Sequence, residues 1–556
     1  MNPALRKRLE DCLPQIRQYQ EICKAPSITF GVVSNGQVIF KQSLGHRDAG
    51  EMHAANSDTM YMIGSCAKMF TSAAVGILVD EGKLHWTDPI QKHIPEFDPE
   101  GDPRVGKEAD IIDCLRHSTG LSPPTMLVLG PTGTIISNED DLVPLLNIMP
   151  TSDEQGQKFN REWSYNNFLV GLVALVVQRV SGKRFADFVR ERILDPLKMD
   201  RTAVKQSDMK NDDNIADSCV KLTNGRFFAV DEKAWPCEDY TPLLAATGMR
   251  STLDDMLTWC IAVLDAELAE NNHEYQLKVP NNPLRQMSRA RRGYWTRPSD
   301  DPDLSQDTTY GMGWFCSRLP SSMLGSFSGN TCTRQKEHGM LHLKHILGKD
   351  AEPFQMIGHT GGMRGSIVSV FTFPATQSAV VTMTNSRDFG DLSDWTAQLL
   401  IQALFDLKPV VNLTSCVMKE AELAGNHYWR KIEQPWEENR RAQSPKRDPL
   451  LYAGEYLGFR GLFTLSIFVR SSDSREPKLA VIFNNDEASE CPLIFYKTDT
   501  YSFLQSGKDN EKIQHIFAVD YKQTLLEFQF DGEDSIVGLW WLWDSNAERA
   551  WLEKVT

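Results

Sequence analysis

Three kinds of hydrophobic patterning divide the chain. Across residues 28–44, two apolar-rich extended segments flank Asn35-Gly36. Both residue types tolerate the left-handed backbone of a two-residue turn, so the stretch predicts a β-hairpin. Residues 69–79 (Met-Phe-Thr-Ser-Ala-Ala-Val-Gly-Ile-Leu-Val) and 168–180 are apolar nearly all round, which predicts helices buried on every side. Gly82 supplies a left-handed stop for the first, and Ser181-Gly182 ends the second. Helical character dominates residues 65–264, and strands return at 365–373 and 379–384, joined through Pro374-Ala-Thr-Gln. Strands at both ends with helices between predict one antiparallel sheet whose first and last strands meet, beside a helical lobe.

The third pattern begins after residues 431–449, a stretch of Glu, Arg, Gln, Ser and Pro that reads as a linker. Short strand-like runs then recur at 462–469, 479–483, 516–519, 525–530 and 537–543, predicting a small all-β barrel or sandwich. The expected fold class is α+β. Residues 1–430 form a catalytic-sized domain, 431–449 a linker and 450–556 a β-rich domain. Two polar stretches, 271–309 and 317–353, read as loops inserted into the larger domain.

Charge narrows the partners. With 556 residues and a net charge of −15, and no basic stripe to offset it, the chain is a poor match for nucleic acid or an anionic membrane. The amino-terminal residues form a charged amphipathic stretch with no apolar signal core, and the longest apolar runs are too short to cross a bilayer. These features predict a soluble, cytoplasmic protein. Eleven scattered cysteines, an odd number, fit reduced thiols better than a disulfide framework.

Candidate chemistry starts at Gly64-Ser65-Cys66-Ala67-Lys68. A three-residue spacing at a helix start puts the Ser65 hydroxyl and the Lys68 amine on one face, where the amine can take the hydroxyl proton. The buried helix that follows desolvates Lys68 and lowers its pKa toward that of a general base. A second copy, Ser207-Asp-Met-Lys210, lies in a polar loop and reads as solvated. Cys66 reads as a small core filler.

Tyr165-Asn166-Asn167 precedes the second apolar helix. There a phenol can exchange protons with the serine and Asn167 can bind a substrate carbonyl or orient the lysine; equally, either asparagine can simply cap the helix while Tyr165 packs. His359-Thr360-Gly361-Gly362 precedes the strand at 365–373. Its glycines either make a turn or let the Gly362 amide join that of Ser65 in an oxyanion site. Arg364 reads as a rim contact for substrate, and Asp88-Pro89 as a turn. His338, His342 and His345 have spacings that could gather a zinc ion, but Gly339 weakens the helix and no supporting motif accompanies them. No metal and no cofactor is expected.

The order Ser-x-x-Lys, Tyr-x-Asn, His-Thr-Gly resembles the serine β-lactamase-related superfamily, in its class C β-lactamase, D,D-carboxypeptidase and esterase branch. Further matches run over about residues 20–405 and include Leu115-Arg-His-Ser-Thr-Gly-Leu121, Tyr310-Gly-Met-Gly-Trp314 and Gly358-His-Thr-Gly-Gly362. The resemblance implies a β-lactamase/transpeptidase-like domain, and relatives carry a lipocalin-like barrel where residues 450–556 stand. It implies that Ser65 attacks an ester or amide carbonyl, Lys68 and Tyr165 share the proton relay, and the Ser65 and Gly362 amides hold the oxyanion. Asn167, His359, Thr360, Gly361 and Arg364 then line the substrate site.

Two departures stand out. His359 replaces the lysine usual in β-lactamases, which argues against β-lactam carboxylate recognition, and the chain shows no export signal. The expected activity is a serine hydrolase of esterase, D-peptidase or amidase type acting on a small-molecule ester, amide or acyl-thioester. The alternatives are an acyltransferase of polyketide or peptide natural-product metabolism using the same acyl-enzyme, and a non-catalytic binding protein on the same fold.

Overall fold

The computed structural model describes residues 3–131, 133–153, 156–230, 241–296, 308–322, 324, 328–330, 345–386, 388–470, 478–504, 507, 519–532 and 535–555. Helices α1 (Pro3–Glu10) and α2 (Leu13–Ile22) lead into the hairpin β1 (Ser27–Ser34) and β2 (Gln37–Gly45). Its turn is Asn35-Gly36, both residues with positive φ, as the sequence predicts.

An eight-stranded antiparallel sheet is completed by β3 (Trp295–Thr296), β4 (Thr309–Tyr310), β5 (Phe315–Leu319), β6 (Phe354–Met363), β7 (Ser366–Phe373) and β8 (Ser378–Thr384). The order is β2-β1-β8-β7-β6-β5-β4-β3, so the first strand and the last strand of the domain pair directly, with Ile28 opposite Thr384. Every residue of β7 and β8 is buried because both faces of the sheet are covered. On one face Phe30, Val32, Phe371 and Val380 pack with α1, α2 and α6 (Leu392–Phe405). On the other, Val368, Val370, Val381 and Met383 join the core of the helical lobe. Gly31 leaves a slot for Leu257 of α5 (Leu253–Asn271): a Cβ there would lie 2.7 Å from its Cδ1.

The lobe is built on two helices, α3 (Ala67–Asp80), buried from Ala67 to Leu78, and α4 (Asn167–Ser181). Gly82 follows α3 with φ +68°, and Gly182 caps α4 with φ +70°, both as read from the sequence.

The sequence reading needs correcting on the right-hand side of the sheet. Three strands, β3 to β5, fall in or across the polar stretches read as loops, and His359-Thr-Gly-Gly, which does precede the strand β7, is itself part of strand β6 rather than a turn. Segments of two to five residues carry too little alternation to signal a strand; a neighbouring edge supplies the hydrogen bonds that make them one.

After α7 (Thr414–Ala424), residues Trp429–Glu433 and Gln434–Asn439 are helical, and Trp436 is buried with its indole N–H donating to Ser502 Oγ at 3.0 Å. A second antiparallel sheet follows: β9 (Gly454–Gly458), β10 (Phe463–Arg470), β11 (Lys478–Phe483), β12 (Asp486–Pro492), β13 (Ile494–Lys497), β14 (Thr500–Ser502), β15 (Leu525–Phe530), β16 (Ile536–Trp541) and β17 (Ala550–Lys554). Its order, β12-β11-β10-β9-β17-β16-β15-β14-β13, brings chain-adjacent strands to its two ends, a nearly closed barrel. Aromatic rings fill it, with Phe463 stacked on Trp541 at 5.4 Å. The run expected at 516–519 lies largely outside the described residues. Asn484 joins the sheet to the lobe by donating to the Ile136 carbonyl at 2.6 Å.

Candidate active site

Ser65 sits on a 3-10 turn, Gly64–Cys66, that feeds directly into α3. Gly64 enters it with φ +50°, and a Cβ there would press on the backbone of Gly361 and Gly362 at 3.1 Å. Gly361 is tighter still, its Cβ position lying 1.8 Å from the Ile63 carbonyl oxygen and 3.1 Å from the Ser65 nitrogen. The two glycines therefore let the serine turn and β6 touch backbone to backbone. Strand β6 pairs with β5 only as far as Gly358, so, among the described residues, 359–363 have no strand on that edge, and Gly362 is exposed there. Ser65 is half-buried while every neighbour from Met60 to Leu78 is buried, so this one side chain opens out of the core.

Two groups converge on its hydroxyl. Lys68 Nζ lies 3.0 Å and Tyr165 Oη 2.9 Å from Ser65 Oγ, with the phenol donating. Lys68 is fully buried and also donates to the Ala246 carbonyl at 3.0 Å. Burial pushes its pKa well below the ordinary ammonium value, which favours the neutral, proton-accepting amine; Cys66 acts the other way. Burial raises the Tyr165 phenol, keeping it protonated against the opposing hydrogen bond to Ser65.

Tyr165 is placed by the start of α4. Asn166 is the N-cap, its side chain accepting the Phe168 amide at 2.9 Å and donating to the Leu121 carbonyl at 3.0 Å. Asn167 has no such duty: its Oδ1 is buried and has no hydrogen-bond partner among the described residues. Asn166 thus takes the capping role, while Asn167 presents an unmatched acceptor, which pairs with a donor and not with the substrate carbonyl expected of it.

His359 is fully buried. Its Nδ1 donates to the Thr360 carbonyl at 2.6 Å, which leaves Nε2 to accept the Tyr310 hydroxyl at 2.9 Å. Burial, then nearby Lys68, lowers its pKa to about 3, so the imidazole is neutral. Thr360 and Gly361 are buried beside it, and Arg364 sits partly exposed in the turn between β6 and β7. The Tyr310-Gly-Met-Gly-Trp motif serves twice, because Gly313 also abuts the Lys68 carbonyl, 2.8 Å from its Cβ position.

One residue was not singled out from sequence. His117, within Leu115-Arg-His-Ser-Thr-Gly-Leu, is fully buried with its ring 4.4 Å from that of Tyr165 and 5.1 Å from that of Tyr310. Burial, with Lys68 and His359 adding to it, holds its pKa well below the ordinary histidine value. Its only sequence signal was membership of that motif.

None of the described hydrogen bonds of the remaining candidates reaches the Ser65 hydroxyl. Cys66 is buried and its thiol points to the His359 carbonyl at 3.5 Å. Asp88 is tied into its own turn by the His85 amide, Lys92 and His93. His345 bonds Gln398 at 2.8 Å, while His338 and His342 lie outside the described residues. Among the described residues no group of three His, Cys, Asp or Glu side chains is placed to hold a metal ion, and no helix is long and apolar enough to cross a membrane.

Residues 15–403 match the family model described as Beta-lactamase. The chain belongs to the beta-lactamase family. Protein flp of Staphylococcus aureus (strain MW2) is 26% identical over 186 residues, which are 34% of this chain and 36% of that protein. The chain thus matches only about a third of the length of that relative. Unguisins hydrolase ungD' of Aspergillus campestris (strain IBT 28561) is 21% identical over 526 residues, 89% of this chain and 83% of that one. Among solved structures, the octameric penicillin-binding protein homologue from Pyrococcus abyssi superposes with a TM-score of 0.53 at 16% identity, covering 98% of this chain and 99% of that one. The shared fold therefore extends through the barrel-like sheet.

Proposed function

We propose that this protein is a serine hydrolase that cleaves a small-molecule ester or amide through an acyl-Ser65 intermediate, with residues 1–430 as the catalytic domain, 431–449 as connection and 450–556 as an accessory domain. The observation that carries the reading is the convergence of Lys68 Nζ and Tyr165 Oη on Ser65 Oγ at 3.0 and 2.9 Å. Lys68, its pKa lowered by burial, takes the serine proton as Oγ attacks the carbonyl carbon. The carbonyl oxygen becomes an oxyanion held by the Ser65 and Gly362 amides. As the tetrahedral intermediate collapses, Tyr165 gives its proton to the departing oxygen or nitrogen and regains one from the Lys68 ammonium. Water then repeats the sequence in reverse and releases the acid.

His117 and His359 are held neutral by burial, so neither offers a cation to an anionic group beside the scissile carbonyl. An anionic group there would favour the protonated form of Lys68 and oppose its use as the base. Asn167, with its unmatched acceptor, is assigned to a substrate N–H or to orienting Lys68. Thr360 and Arg364 are assigned to the substrate side of β6. The relative described as a hydrolase supports release to water.

The test is product analysis with activated and alkyl esters of varied acyl groups, with and without amine or alcohol acceptors. Release of the free acid supports hydrolysis. Transfer to the acceptor outrunning hydrolysis makes the protein an acyltransferase, and binding without turnover makes it a binding protein.

A further inference from the structure

His117 touches the chain around Tyr165 at three points. Its carbonyl accepts the Ser164 amide at 2.9 Å, its Nδ1 accepts the Asn166 amide at 3.3 Å, and its ring lies 4.4 Å from the Tyr165 ring. The two backbone bonds bracket Tyr165, and the ring contact backs the phenol on the side away from solvent.

This arrangement is not the cheapest way to fill the space. His117 adopts φ +63°, a left-handed backbone that costs any residue with a Cβ. Because Nδ1 accepts, the ring proton sits on Nε2, which is buried with no hydrogen-bond partner among the described residues. An apolar ring would pack in the same place without that orphaned proton, but it could not accept the Asn166 amide. The feature specific to histidine is thus the bond beside Tyr165.

We propose that His117 is a positioning residue for Tyr165, holding the phenol against Ser65 so that its proton is delivered to the departing group. The proposal rests on the acyl-enzyme reading above. It predicts dependence on the leaving group, because a nitrophenolate departs without a proton whereas an alkoxide needs one.

The experiment compares two acyl donors with one acyl group, a 4-nitrophenyl ester and a simple alkyl ester. Acylation is followed by intact mass in the full-length protein and in His117→Phe and His117→Asn, each alone and combined with Tyr165→Phe. His117→Phe is expected to slow alkyl-ester acylation at least ~10-fold, with the nitrophenyl ester held within ~3-fold. His117→Asn, which tolerates left-handed backbone and keeps an acceptor, shows the same selectivity in milder form. In the Tyr165→Phe background neither substitution adds a further leaving-group effect.

Equal losses on both donors, or a selective loss that persists undiminished without the Tyr165 hydroxyl, overturns the proposal. If His117→Phe does not fold, the Asn variant decides by the same criterion. Failure of the natural protein to be acylated by either donor defeats the acyl-enzyme reading itself. Acylation at Ser65 that is indifferent to the leaving group in the His117 variants defeats the positioning role alone.

Discussion

Three stretches of this chain spell serine, two residues, lysine, beginning at Ser65, Ser207 and Ser218, and the first two place the serine on one turn of 3-10 helix: Gly64–Cys66 for Ser65 and Gln206–Met209 for Ser207. The surroundings of these two differ in every respect that matters to chemistry. Lys68 is fully buried, its pKa lowered by that burial, and 3.0 Å from Ser65 Oγ, to which a phenol also donates. Ser207 and Lys210 are exposed, and Asp208 between them serves the loop by accepting the Val204 and Lys205 amides at 3.0 and 3.2 Å. Spacing brings a hydroxyl near an amine; desolvation turns the amine into a base. The lobe core does that for one copy only.

The largest separation is expected at the serines. Ser65→Ala should lower turnover by roughly 10⁴-fold or more, whereas Ser207→Ala stays within about 2-fold, as steady-state rates on one activated ester will show. Comparable losses at both would erase the distinction.

The lysines come next. Lys68→Met should slow acylation by roughly 10²- to 10⁴-fold and Lys210→Met hardly at all. Lys68 also carries a stability signature. Its folded-state pKa is depressed, so between that value and 10.5 the unfolded chain binds the extra proton and burial of the amine works against folding. Lys68→Met should therefore melt about 2 °C or more above the natural protein at neutral pH while losing activity. For the same reason acylation should persist at pH values far below 10.5 and fall only as Lys68 gains its proton at lower pH. A melting temperature lowered by Lys68→Met would show that the amine is not buried at a cost.

A smaller effect tests the strand that only the Ser65 copy possesses. In Gly361→Ala the new Cβ would meet the Ile63 carbonyl at 1.8 Å, forcing β6 away from the serine turn. Loss of one oxyanion donor by that shift should cost about 10²-fold in kcat with the protein still folded, read by circular dichroism beside the assay.

The smallest is an acid limb. His359 titrates near 3 when folded and near 6.5 when not, so the unfolded chain binds more protons in between, and stability is lost as pH falls from about 6.5 toward 3. His359→Gln should make the melting temperature fall less steeply over that window.

The frame of the molecule was legible because its signals are local. Asn35-Gly36 makes its hairpin, Gly82 and Gly182 end their helices, and two all-apolar runs become the core helices of the lobe. Strands such as Trp295–Thr296 and Thr309–Tyr310 were not, since two residues have no periodicity and owe their pairing to an edge formed elsewhere. The site shows the same division. Ser65, Lys68 and Tyr165 were readable from motif and context. That Asn166 caps while Asn167 has an acceptor without a partner among the described residues follows from three-dimensional neighbours. The charge of His359 depends on burial and on Lys68, and its orientation on the hydroxyl of Tyr310, both far away in sequence; the place of His117 depends on bonds to Ser164 and Asn166.

The central claim is that the Ser65–Lys68 pair is a reaction centre and the Ser207–Lys210 pair a surface loop. Peptide mapping after brief exposure to an activated ester tests it most directly. The account predicts one acyl group per chain on the peptide that contains Ser65 and none in Ser65→Ala. Acylation of the peptide containing Ser207, or an adduct that survives Ser65→Ala, would contradict it.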